Sequence, residues 1–168
     1  MNYEAFLSQP AVRKEYEKAF LLNLFKKMCL RMDKEITYKN KVKQLFKEAG
    51  NNKTRITQII VKKEFNQDID NQQAELMSTW FIAHFQKNNN RKDLSVYKKH
   101  LIEQQKGLCL ACGEPLGSIV EKIHVDHIIP FALVGDELKE NYQALCHMCN
   151  LCKSASTDYL FRNLIGLS

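Results

Sequence analysis

Apolar positions in residues 1–100 recur at intervals of three and four, the spacing of helices that each bury one face. Val12, Tyr16, Ala19, Phe20 and Leu24 follow it and run on into Phe25 and Met28, with Ser8 and Pro10 as a helix start, so a core helix is predicted there. A second helix is predicted from Glu35 to Ala49, with Val42, Leu45 and Phe46 near one face, lysines around the others, and Gly50-Asn51-Asn52 as its stop. Thr54 is a candidate cap for a third. The stretch from Arg55 to Phe65 contains Ile59-Ile60-Val61, which suits a buried strand as well as a helix, and its helical neighbours favour helix. Asp70 caps a fourth helix whose apolar face is Leu76, Met77, Trp80, Phe81 and Phe85.

Two basic helices around Gly50 have the outline of a helix-turn-helix over residues 36–65, an outline shared by many helical hairpins. His84 and His100 have no ligand-type partner at matched spacing and read as packing or surface residues; Cys29, in an apolar helix, reads as a buried thiol. The polar run Gln86 to Lys92 marks a change of composition and the expected boundary between a helical region, 1–92, and a second domain, 93–168. Beyond it Asp93 can cap a helix with Leu94, Tyr97 and Leu101 on one face, ended by Gly107.

Charge sharpens this division. Residues 1–100 hold 20 Lys and Arg against 11 Asp and Glu, whereas residues 101–168 hold 5 against 8, so the overall charge of +6 comes from the helical region. A basic surface there suits an anionic partner such as nucleic acid, and equally serves solubility. The longest apolar run, Ile128 to Val134, has 7 residues and contains Pro130, far below the roughly 18 that a spanning helix needs. The N-terminus lacks the basic start and apolar core of a secretory signal, so a cytoplasmic location is expected and the six cysteines are expected to be thiols.

Four of those cysteines form two C-x-x-C pairs, Cys109 with Cys112 and Cys146 with Cys149, a set suited to tetrahedral zinc. A redox role fits one such pair but explains two poorly. The 33 residues between the pairs exceed the roughly 15–20 common for paired knuckles, so further structure is expected between them. Cys149 and Cys152 lie one helical turn apart and either can in principle face the metal; Cys149 is preferred because it repeats the spacing of the first knuckle.

Between the knuckles lies His124-Val125-Asp126-His127-Ile128-Ile129-Pro130, followed by Asn141 and, after the last knuckle, Asn150 and Lys153. The order C-x-x-C, V-D-H-I-I-P, N-Y-Q-A-L-C-x-x-C-N-x-x-K closely resembles the HNH endonuclease family and its ββα-metal module, over roughly residues 94–160. The resemblance implies an α+β fold, with the helical region followed by a small zinc-stapled ββα-metal module. It also implies hydrolysis of DNA phosphodiesters to 5′-phosphate and 3′-hydroxyl ends.

Residue by residue, the resemblance makes His127 the general base, a role a neutral imidazole can fill near neutral pH. Asp126 and Asn150 become hard oxygen ligands for magnesium or manganese. Asn150 stands where many members have histidine, a variant that favours a hard ion over zinc at the catalytic centre. Asn141 would fix the loop and orient the His127 ring, and Lys153 would contact phosphate. His124 is either a metal or substrate neighbour or a polar strand residue, and His147 is an exposed knuckle residue or a rival zinc ligand. Successive strand residues point oppositely, so a bend is expected where Asp126 and His127 address one phosphate.

The alternative is a zinc-stapled module that binds DNA or docks a partner without cutting. Residues 1–92 are then candidates for DNA binding, dimerisation or docking within a restriction, antiphage-defence or mobile-element system.

Overall fold

Pro10 opens helix α1 (Pro10–Lys34) at a position where its missing N–H costs nothing. Gln9 is the residue before it and makes no side-chain bond, and the helix starts where Ser8 and Pro10 mark it. The computed structural model describes residues 8–117, 122–138, 140–154 and 156–159. Helices α2 (Ile36–Glu48), α3 (Lys53–Phe65) and α4 (Asn71–Gln86) follow α1. The stretch 55–65 is therefore helical, and Gly50, at φ +53, lies in the turn before it. Asn52 precedes α3 and Thr54 lies inside the helix, so Thr54 caps nothing. Asp70 does cap α4, reciprocally with Gln73: the Gln73 N–H donates to Asp70 Oδ1 at 2.8 Å and the Asp70 N–H to Gln73 Oε1 at 3.1 Å.

These helices enclose a core centred on Phe25, whose ring meets Trp80 at 5.6 Å and Phe81 at 5.3 Å. Leu21, Leu22, Met28, Cys29 and Met32 from α1 join Val42 and Phe46 of α2, Ile60 and Val61 of α3, and Met77 of α4. Tyr16 and Leu76 keep the apolar spacing but are 49% and 44% exposed, because each lies at the margin of a face already filled by its neighbours.

Asp93 caps a 3₁₀ turn, Leu94–Tyr97, rather than an α-helix, and α5 (Lys98–Gln104) continues from it. Among the described residues the only sheet is β1 (Ile123–His127) antiparallel to β2 (Tyr142–Cys146), with the short helix α6 (Phe131–Val134) between them and α7 (His147–Lys153) after. The protein is thus mostly helical with a small sheet near its C-terminal end, an α+β architecture. A second, smaller core of Leu101, Leu116, Ile123, Ala144, Leu145 and Tyr159 surrounds Cys109 and Cys149.

The two regions meet at α6. Ile129, Leu133 and Val134 are buried in the first core, among residues of α1 to α4. His84, 1% exposed, donates from Nδ1 to the Leu133 carbonyl at 2.7 Å, and Lys87 Nζ reaches the Ala132 carbonyl at 2.8 Å. Gly135 follows at φ +60, where a Cβ would stand 3.1 Å from Lys87 Cβ, so only glycine permits this approach.

Burial lowers the His84 pKa; the Leu133 bond and Asp33 act against it, while Lys87 and Lys39 reinforce it. The native ring is therefore neutral, whereas the unfolded chain takes up a proton below a pH of roughly 6.5. The unfolded state then binds more protons, so stability falls as pH drops from about 6.5 towards the folded pKa, by at most about 1.4 kcal/mol per pH unit for this group. Denaturant titration from neutral to mildly acidic pH should show this slope, and His84→Gln, which can still donate to Leu133, should flatten it.

Candidate active site

The first knuckle is a tight turn: the Cys109 N–H donates to the Glu114 carbonyl at 2.8 Å, and the Gly113 N–H donates to the Cys109 carbonyl at 2.9 Å. The second knuckle is the start of α7, where the Cys149 N–H donates to Cys146 Sγ at 3.4 Å. The Leu110 N–H donates to the Ala144 carbonyl of β2 at 3.3 Å and so joins the two, and the Cys146 N–H donates to Cys109 Sγ at 3.4 Å. The sulfurs of Cys109, Cys112, Cys146 and Cys149 lie within 4.8 Å of one another, compatible with the roughly 3.8 Å edge of a tetrahedral zinc–thiolate site.

The electrostatics fit a metal. Burial pushes the Cys109 thiol up, but backbone donors at Cys112, Cys146 and Ala111 and the Cys112 thiol outweigh it and bring the pKa to about 7. Burial raises Cys112 and Cys149, and the Cys109 charge adds to the rise. One thiolate thus forms readily and discourages the others, so a cation is needed to hold all four ionised. Cys152 is exposed and outside the group. His147 is also outside it, with Nδ1 at 3.1 Å from His124 Nε2.

Strand β1 carries the predicted polar residues. Its pairing is regular to its end, Asp126 opposite Gln143 and His127 opposite Tyr142, and the two side chains take different partners without the bend expected from the sequence. Asp126 Oδ2 pairs with Lys153 Nζ at 2.9 Å, and the Lys153 side chain is only 3% exposed. Lys153 is thus held inside by Asp126. The sheet face with Gln143 and Lys153 is covered by α1 through Glu15, Lys18, Ala19 and Leu22. Asn150 lies on α7 one turn before Lys153, on the same side of the helix.

The outer edge of β2 is closed. Gln105 donates to the Ala144 carbonyl at 2.9 Å and accepts from the Ala144 N–H at 2.8 Å. The outer edge of β1 instead lines an open groove of about 340 Å³ that is shared by His124, Asp126 and His127 and flanked by Arg91, Lys92 and Lys98. Away from the strand the groove is lined by these three cations and one carboxylate, Asp93, so it is basic on balance there.

His127 is 5% exposed, with its ring between Tyr142 and Phe131 at 5.2 and 5.5 Å. Its Nε2 lies 2.7 Å from Asp136 Oδ1, a partner missed in the sequence because Asp136 belongs to no motif and reaches the ring only after the chain turns through α6. Burial raises the Asp136 carboxyl, but bonds from the Lys92 N–H, His127 and Tyr142 outweigh it and leave it below the usual carboxylate range. Asn141, 3% exposed, spends its side chain on Ile129, accepting from the N–H at 2.7 Å and donating to the carbonyl at 2.9 Å. It clamps the loop after β1, and the contact to the His127 ring comes from Asp136.

Two cysteine knuckles, a two-stranded antiparallel sheet and a following helix define a zinc-type ββα module. Residues 109–156 match the model of the HNH endonuclease family, a match that suggests a nuclease or DNA-binding role for this part of the chain. Comparison with curated proteins and with solved structures returned no match.

Cys149→Ser should abolish stoichiometric zinc in the purified protein, measured by elemental analysis, whereas Cys152→Ser should retain it. Asn141→Ala removes both bonds to Ile129 and leaves a buried N–H unpaired, so chemical denaturation should show a loss of about 2–4 kcal/mol.

Proposed function

We propose that the protein is a metal-dependent HNH endonuclease that hydrolyses DNA phosphodiester bonds. The observation that carries this reading is one groove lined by both Asp126 and His127 and flanked by Arg91, Lys92 and Lys98. Zinc-only stapling has no use for a carboxylate and an imidazole at the mouth of a basic groove.

Asp126 and the Asn150 amide oxygen are hard donors, and Asp126 is already balanced by the Lys153 ammonium, so the position suits positive charge. A magnesium or manganese ion bound there would offset charge on the scissile phosphate and the leaving oxygen. His127 takes the proton from the attacking water. Oxygen attacks phosphorus as the bond to the 3′ oxygen breaks, leaving a 5′-phosphate and, after protonation, a 3′-hydroxyl. Asn141 keeps the loop after His127 in place. Lys153, held inside by Asp126, would contact phosphate if a metal ion took its place at that carboxylate. Arg91, Lys92 and Lys98 hold the flanking backbone, which makes affinity salt-dependent.

A single site cuts one strand, so a double-strand break takes a homodimer or two successive nicks. Residues 1–92 form the basic region that binds DNA or docks a partner, residues 93–168 the nuclease domain, and restriction, antiphage defence or mobile-element activity in the cytoplasm is the setting this chemistry suits. Nicking of supercoiled plasmid should require added magnesium or manganese and fall by about 10²–10⁴-fold in His127→Ala. An unaffected variant would remove His127 from the reaction, and DNA binding without cutting under any ion would favour the non-catalytic module.

A further inference from the structure

We propose that Asp136 is the positioning residue of this site: its carboxylate holds His127 in the tautomer that carries its proton on Nε2 and keeps Nδ1 as the basic nitrogen. The inference deepens the nuclease reading and rests on it for its functional part.

The assignment follows from a count of donors. Asp136 is 8% exposed, and its oxygens are engaged by groups that can only donate or that donate here: the Lys92 N–H to Oδ2 at 2.8 Å and the Tyr142 hydroxyl to Oδ1 at 3.1 Å. A carboxylate so held accepts and does not donate. The 2.7 Å contact between His127 Nε2 and Oδ1 therefore requires the proton on Nε2. The lone pair of the neutral ring is then on Nδ1, the nitrogen directed away from Asp136, and water reaching His127 from the β1 groove meets a base in the required form. Tyr142 and Phe131 flank the ring and oppose its rotation. Asn141 directs both ends of its amide to Ile129 and not to the His127 ring.

Asp136 is itself held by the helical region. Besides its N–H bond, Lys92 sends Nζ to the Asp136 carbonyl at 3.1 Å, and the preceding Gly135 lies against Lys87. The proton position on His127 thus depends on Lys87, which lies outside the groove, as well as on Lys92, which lines it.

The test compares the full-length zinc-loaded protein with Asp136→Asn, using long-range proton–nitrogen NMR of the His127 ring at about pH 8, above the ordinary imidazole pKa of roughly 6.5. The wild type should show the Nε2–H tautomer. The variant, whose amide can donate to Nε2, should shift towards Nδ1–H, with kcat for plasmid nicking lowered about 10²–10⁴-fold and KM changed less than about threefold. Zinc content and thermal stability report whether the variant is folded. A wild-type ring in the Nδ1–H form, or a folded variant with an unchanged tautomer, overturns the assignment; if Asp136→Asn does not fold, the wild-type spectrum alone decides. Absence of nicking by the wild type under every ion would sink the nuclease reading, while the tautomer would still settle the role of Asp136.

Discussion

Burial of α6 among the helices of the N-terminal region is the constraint on which the rest depends. Leu133 and Val134 enter the core built around Phe25, and the Leu133 carbonyl is fixed by a neutral, fully enclosed His84. Three residues after Leu133 the chain delivers Asp136 to His127. A loop joining two strands has no stiffness of its own; here it borrows that of a helical core, and the ring at the end of β1 inherits its orientation.

The two cores solve different problems. The helical one is large enough to be held by apolar burial, with rings packed edge to face around Phe25. The second has few large side chains and adjoins a cluster of four cysteines, a set that could hold a metal ion where apolar volume is small. Gln105, bonded to both backbone groups of Ala144, closes one edge of its sheet and leaves the other to the groove.

Local features were legible in the sequence and long-range ones were not. The helices follow from apolar spacing, the Asp70 cap from its position, and the cysteine cluster from two C-x-x-C pairs, because each helix face, cap and pair is written within a few residues. Thr54 was misleading as a cap, since a hydroxyl near a helix start competes with backbone geometry set by the turn at Gly50. The candidate site was legible as a set of residues but not as a set of contacts. Lys153 faces inward because Asp126 is the nearest counter-charge, and Asn141 reaches Ile129 because that loop leaves two backbone groups to satisfy. Asp136 carries no local signature, since its meaning arises only when α6 folds back on β1.

Gly135 shows how such an arrangement shapes the variation a chain can accept. It contributes no side chain to the core, the groove or the cysteine cluster, yet a methyl group there would press on Lys87 from a backbone conformation that other residues rarely adopt. A side chain there would strain the backbone beside Asp136 and crowd the Lys87 Cβ. The smallest residue in the loop therefore has among the least freedom to change, and its constancy across related chains would record the fit between two surfaces rather than any chemistry of its own.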